Sequence, residues 1–342
     1  MPIEVSVVLL PIYEFLGPNP LFATVLLEDL VSPPSEGVQI TPLPCTMISF
    51  ASYLCTHASS EATPRSIAYA SLALNVLLSL VENNMVMEFS SQADFPTIRL
   101  CRQRLPSLPS PPRSTQPPVN SILDCCILWL RHNLYRRLEV HSYTNCIWIC
   151  YRIVWFLQHR RLRLDYDWRE LWNSVIALLN FLASKLETLH TTGGVELLAS
   201  ETIRLLDLAL CTSELYLPSP QALHELVYEL VRSLAVLKKQ EALLKSFTLS
   251  NPSSIPLLHG KSSIEDTLSH ILKVASFYEE KVLSGGTAIG NVKDVLKIIA
   301  EDIEANGLHG AREISEMTPP TRSQDVLDFG RFACRDVLAL MP

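Results

Sequence analysis

The chain has no CxxC pair, no GxSxG, no HExxH and no protein-kinase signature, which removes the commonest zinc-knuckle, hydrolase, zinc-protease and kinase readings. Charge is also scarce: only 18% of 342 residues are Asp, Glu, Lys or Arg. So little charge suggests helices buried on more than one side. No segment alternates apolar and polar residues over a useful length, so nothing argues for a sheet. Uninterrupted apolar runs of the roughly eighteen residues that a spanning helix requires are missing. Arg152 cuts the run from Cys146 to Leu157, and Glu14 with Gly17-Pro18 cuts the first. The opening residues lack the basic n-region and small-residue cleavage site of a secretory signal. No transmembrane segment and a cytosolic location are therefore expected.

Cysteine and glycine carry little chemistry of their own here. The nine cysteines, an odd number, fall mostly on apolar helical faces, where they act as small hydrophobes in a reducing compartment. Cys146 and Cys150, one helical turn apart with His141 nearby, are the best candidate metal ligands, but core packing explains them more simply. Gly260-Lys261-Ser262 imitates the end of a phosphate loop, yet Ile255 stands where the upstream glycine is needed. Asp165 and Asp167 are close enough for acid–base work, but helix capping accounts for them. The expectation is no catalytic residue, no cofactor and no metal.

What the chain does have is apolar bulk, 48% of its residues, and helical periodicity. Tyr143, Cys146, Ile147, Cys150, Ile153, Val154 and Leu157 recur on one helical face, and Trp148, Arg152 and Trp155 on a second. A helix with bulk on two faces needs neighbours on both, so this one is expected inside the array. After it come the basic loop His159 to Arg163 and a start signal, Asp167 at the N-cap with Glu170 three residues on. The spacing predicts a helix through Leu171, Val175, Leu178, Leu179, Leu182 and Leu186 until Gly193-Gly194 stops it.

The same signals recur along the chain. Val5 to Leu16 forms a first helix, and Asn19 with Pro20 opens a second running to about Val31. Residues 45–57 form a third, and Thr63 with Pro64 opens a fourth that is apolar nearly all round. Seven prolines between Asn83 and Asn120 forbid a continuous helix. Leu105–Pro118 reads as an exposed connector, with a PxxP ligand as the functional alternative. Val195–Cys211 is helical, and Ser219 with Pro220 opens one long helix through Leu244. Ser262 and Glu265 box the next, Asn291 starts another, and the last spans about 323–340. Val5, Val7, Val8, Leu9 and Leu10 leave the opening helix apolar on several sides, so Met1 is not expected to begin a capping repeat.

About a dozen helices in successive antiparallel hairpins fit an all-α, armadillo/HEAT-like solenoid. Four blocks follow: N-terminal hairpins at 1–83, the Pro-rich connector at 84–120, central hairpins at 121–250 and C-terminal helices at 251–342. Tyr151-Arg152-Ile153-Val154, the run Arg161-Leu162-Arg163-Leu164-Asp165-Tyr166-Asp167-Trp168-Arg169-Glu170-Leu171-Trp172, and Leu178-Leu179-Asn180-Phe181-Leu182 resemble the armadillo-like helical domain-containing protein 3 C-terminal family. So do Leu217-Pro218-Ser219-Pro220 and Glu225-Leu226-Val227-Tyr228-Glu229-Leu230-Val231-Arg232. The RLxLxYxWRELW run is the specific part. The resemblance implies non-catalytic work peripheral at Golgi membranes, supporting recruitment of a phosphatidylinositol 4-kinase and an Arf guanine-exchange factor, and hence secretion.

Charge marks a surface. From Arg99 to Arg163 there are eleven basic residues against two acids, a balance of +9 in a chain of −7, so the remainder carries −16. Arg136, Arg137, Arg160, Arg161 and Arg163 are the candidate docking residues, for an acidic partner segment or anionic lipid headgroups; Asp167, Trp168, Glu170 and Trp172 form the structural motif. The acidic total argues against nucleic acid, and no small-molecule substrate is expected. The alternative is a purely structural helical module of a larger cytosolic protein with its binding surfaces elsewhere. Far-ultraviolet circular dichroism should show helix and essentially no strand; substantial strand signal refutes the reading.

Overall fold

A computed structural model describes residues 3–16, 19, 21–22, 24–26, 43–61, 63–91, 98–101, 115–133, 138–185, 192–250, 264–284, 292–312 and 327–340. Among them the regular elements are helices, as the missing alternation implies. The chain divides into two compact units, residues 1–153 with 321–342, and residues 154–320.

In the first unit a 3-10 helix, Ile3–Val8, runs into α1, Leu9–Leu16. Then come α2 (Leu43–Glu61), α3 (Pro64–Glu82), the short α4 (Asn84–Ser90), α5 (Pro118–His132), the first part of α6 (Val140–Arg160) and, from the far end of the chain, α14 (Leu327–Leu340). Thr63 opens α3: its hydroxyl accepts the Ser66 amide, the Ser66 hydroxyl accepts the Thr63 amide, and Pro64 fills the first turn. α3 packs against α1, α2, α4 and α14, with Leu72, Leu74, Leu77 and Leu80 buried. It is the one described helix long and apolar enough to cross a membrane by length and composition, with 78% of that window buried inside the fold. Uninterrupted apolar runs do not reveal it, because a few polar residues are scattered among its leucines.

α6 is an inner helix, as its two bulky faces require. Tyr143, Cys146, Ile147, Cys150, Ile153, Val154 and Leu157 are all fully buried, and Trp148 nearly so. The Trp129 and Tyr143 rings meet at 5.9 Å, Cys146 Sγ donates to the Cys126 carbonyl at 3.5 Å, and Asn145 Nδ2 donates to Asn75 Oδ1 at 2.6 Å. α14 is fixed by charge: Asp336, 1% exposed, accepts from Arg65 and from the Tyr69 hydroxyl, while Arg65 also pairs with Glu4 at 3.0 Å. Burial and that carboxylate push the Tyr69 phenol well up.

The second unit holds the remainder of α6 and α7 (Trp168–Ser184), α8 (Val195–Cys211), α9 (Ser213–Tyr216), α10 (Pro220–Arg232), α11 (Leu234–Ser250), α12 (Ile264–Ser284) and α13 (Val292–Asn306). α10 is its hub, touching α7, α8, α9, α11, α12 and α13. The expected single helix from Ser219 to Leu244 is two. Ser233 leaves helical geometry at φ −103°, ψ 13°, still bonded back to Glu229 and Leu230, while its own carbonyl accepts from Val236 and Leu237. That break lets α11 pack on α7 and α12 while α10 packs on α13. A stripe of leucines continues through such a break, so periodicity alone does not reveal it.

Other boundaries also move. Gly194, at φ +84°, stands before α8 as its N-cap; α7 already ends at Ser184, and Leu186 lies outside the described residues. Asn83 caps the unexpected α4 through the Met85 and Val86 amides. Pro118 starts α5 rather than ending a connector, while residues 105–114, Ser262, Asn291 and residues 323–326 lie outside the described residues. Asn19 does accept the Leu21 amide as expected, at 3.0 Å.

His224 on α10 is 4% exposed, and its Nε2 has no hydrogen-bond partner among the described residues. Burial lowers its pKa, against the pull of Glu304 and Glu225. Because the folded value is depressed, the stability gained by keeping it neutral is complete above about 6.5, the ordinary value, and is lost as pH falls below it. Urea unfolding at pH 7.5 and 5.5 should therefore show a larger acid loss for the wild type than for His224→Leu.

Candidate functional site

The loop between α6 and α7 is built by a helix ending. Leu162 N–H donates to the Leu157 carbonyl at 2.8 Å and Arg161 N–H to the Gln158 carbonyl at 3.1 Å, the paired bonds of a Schellman motif. That motif puts Arg161 at φ +52°, a left-handed position that glycine occupies at less cost. Two residues on, Leu164 N–H donates to the Tyr216 carbonyl at 3.1 Å, and Trp168 Nε1 donates to the Leu164 carbonyl at 3.1 Å. The Trp168 ring stacks on Trp172 at 5.6 Å and meets Tyr216 edge-on at 4.9 Å. Both ends of the loop are therefore anchored.

Between those anchors Arg160, Arg161, Leu162 and Arg163 are exposed. Arg160 lies 5.9 Å from the Phe156 ring centre, and Arg163 Nη2 donates to the Glu214 carbonyl at 3.4 Å. Arg136 and Arg137 lie outside the described residues. Asp167 accepts the Glu170 amide at 3.4 Å, as the start signal requires. Trp168 and Trp172 are buried, so this part of the motif is core. Beneath it Arg169 Nε donates to the fully buried Glu229 at 3.0 Å, Arg232 pairs with the same carboxylate, and Arg232 Nη2 donates to Asn173 at 2.6 Å. These bonds tie α7 to α10.

The cysteine pair singled out by spacing sits in the core. Cys146 and Cys150 are fully buried; burial pushes the Cys146 thiol up to about 11, and the hydrogen bond that the Cys150 thiol donates to Cys126, together with burial, raises Cys150. His141 Nε2 faces Asn145 Nδ2 at 3.1 Å. Among the described residues the ligand-type groups that converge are instead Asp207, Cys211 and His270, within 4.8 Å of one another. His270 Nδ1 is 2.6 Å from Asp207 Oδ1, its Nε2 is 2.7 Å from the Gly310 carbonyl, and Arg312 Nη2 is 2.5 Å from Asp207 Oδ2. The Asp207 hydrogen bond, before all other influences, pushes His270 up to about 10. Sequence spacing marks Asp207 and Cys211 as one turn apart, but nothing local joins them to His270 on a different helix.

The loop geometry makes two opposite predictions for stability. Arg161→Gly should stabilise by about 0.5–1 kcal/mol by relieving the left-handed residue. Asp167→Ala should destabilise by about 1 kcal/mol through the lost cap. Urea unfolding measures both, and an Arg161→Gly variant less stable than wild type refutes the first.

Armadillo-like helical domain-containing protein 3 of Danio rerio and of Homo sapiens are each 29% identical to this chain over 117 residues, 34% of this chain and 17% of theirs. A UPF0588 membrane protein of Schizosaccharomyces pombe is 27% identical over 201 residues, 58% of this chain and 32% of its own. The chain thus matches about a third or less of the length of these relatives. No solved structure matches it. The expectation of a cytosolic chain peripheral at the Golgi is corrected by these likenesses: a relative matched over more than half of the chain is named a membrane protein, and none of the names points to the Golgi. A missing signal and missing uninterrupted apolar runs do not decide location, and α3 has the length and composition of a spanning helix. The profile of the family described as armadillo-like helical domain-containing protein 3, C-terminal, matches residues 116–317, more than half of the chain, and the chain belongs to that family.

Proposed function

We propose that the chain is a non-catalytic helical scaffold whose α6–α7 loop docks acidic segments of protein partners. The partners implied by the resemblance are a phosphatidylinositol 4-kinase and an Arf guanine-exchange factor, whose recruitment would support secretion. The observation that supports this reading is Arg161: a bulky cation stands at a left-handed position suited to glycine, between two further exposed arginines on a loop anchored at both ends. Local strain that persists in a well-braced segment is a mark of function. A braced loop also loses less conformational entropy on binding than a free one, and its clustered charge steers an acidic partner.

The test is charge reversal of Arg160, Arg161 and Arg163 to glutamate in the full chain. Exposed substitutions change stability by less than about 0.5 kcal/mol each, so the melting curve should remain cooperative. Recovery of the kinase and the exchange factor in pull-downs should drop at least tenfold (~1.4 kcal/mol), and wild-type recovery should weaken as salt rises, because the reach of exposed charge is about 8 Å at physiological ionic strength. Sedimentation with phosphatidylserine vesicles runs alongside: loss there with partner recovery intact assigns the loop to lipid and overturns the protein reading. Unchanged partner recovery also overturns it, leaving a structural module with binding surfaces elsewhere.

A further inference from the structure

Asp207 and Cys211 lie one turn apart on α8, so both side chains leave the same face. His270 meets them from α12, with Nδ1 2.6 Å from Asp207 Oδ1 and Cys211 Sγ 3.8 Å from that same oxygen. The other ring nitrogen is held by the Gly310 carbonyl at 2.7 Å. Gly310 has φ +73°, and a Cβ there would stand 3.1 Å from Val274 Cγ2 and 3.7 Å from His270 Nε2. Both facts favour glycine at this position, and its carbonyl orients the imidazole so that Nδ1 faces the carboxylate and the thiol.

We propose that Asp207 Oδ1, Cys211 Sγ and His270 Nδ1 form a site for one divalent cation of the zinc type. The donor set is the mixture of carboxylate oxygen, thiolate sulfur and imidazole nitrogen that zinc accepts. Metal-binding histidines characteristically donate their second N–H to a carbonyl or carboxylate, and His270 has that bond in place. Zinc bonds of about 2.0–2.3 Å put tetrahedral ligands ~3.3–3.7 Å apart. The Sγ–Oδ1 separation of 3.8 Å must close by about 0.1–0.3 Å, and the Nδ1–Oδ1 pair must open from 2.6 Å by less than about 1 Å. Arg312 occupies Oδ2, so Oδ1, now held by His270 Nδ1, is the oxygen that turns to the cation. Cys211 is partly exposed, so a water can complete the fourth position.

A divalent cation takes imidazole and thiolate as ligands, so its binding releases protons. Insertion joins α8 to α12 by metal bonds where a hydrogen bond joins them now.

The full chain, stripped of metal, is titrated with cobalt(II) and then zinc. One equivalent of cobalt should give thiolate-to-metal charge-transfer absorption, which zinc bleaches and Cys211→Ser abolishes. His270→Gln should weaken cobalt binding by more than the ~10–100-fold that loss of a supporting hydrogen-bond partner costs. Wild-type protein supplies a measurement independent of any variant's folding: zinc should slow N-ethylmaleimide modification of Cys211 at least tenfold while the exposed Cys334 reacts unchanged. Substoichiometric cobalt, charge transfer that survives Cys211→Ser, or a Cys211 reaction rate indifferent to zinc overturns the proposal and leaves the cluster an ion pair.

Discussion

Helices buried around most of their circumference are the constraint on which the rest of this structure depends. From Ser142 to Leu157, α6 leaves only Arg152 and Trp155 partly exposed, and Leu72 to Val81 of α3 are buried but for Asn75. Each large apolar side chain withdrawn from water contributes about 1.5–3 kcal/mol, so such helices stabilise strongly, provided that neighbours cover every face. The few polar groups on them must then find each other. Asn145 and Asn75 do so at 2.6 Å, and Arg152 reaches Glu82 at 3.6 Å. The low charge of the chain is the compositional trace of this arrangement.

With apolar packing spread so evenly, specific register falls to a few buried charges. Asp336 with Arg65 and Tyr69 holds the C-terminal helix to α3; Glu229 with Arg169 and Arg232 holds α10 to α7; Asp207 with His270 and Arg312 holds α8 to α12 and to the turn after α13. The carboxylates are buried while their arginines are partly exposed, so such pairs gain little net energy over apolar replacements, yet removing a cation leaves a buried carboxylate uncompensated. They act against misregistered packing more than as a source of stability. Lys281 with Asp302 repeats the pattern between α12 and α13.

The α6–α7 loop departs from this economy. Its flanks are tied down by a Schellman ending, the Leu164–Tyr216 backbone bond and a stack of indole rings, while its centre exposes three arginines and Leu162. Trp172 Nε1 is buried without an acceptor among the described residues, so its ring serves through bulk rather than through its N–H. This combination, a firmly braced loop with a cation at a position that suits glycine, is what the docking proposal rests on.

Local signals in the sequence determined much of the fold. The all-helical class, the inner position of α6, and the starts of α3, α7 and α10 follow from 3.6-residue periodicity and from Thr63, Asp167 and Ser219, because caps and periodicity act within a turn or two of chain. The exposed arginines were legible too, since a polar run between two apolar stripes has only solvent to face. The break at Ser233, the role of Gly194 and the left-handed backbone of Arg161 were decided by tertiary packing, which selects among conformations that local sequence leaves nearly equal in energy. So was the meeting of Asp207, Cys211 and His270: His270 lies 59 positions beyond Cys211, and only the packing of α8 on α12 brings their side chains together.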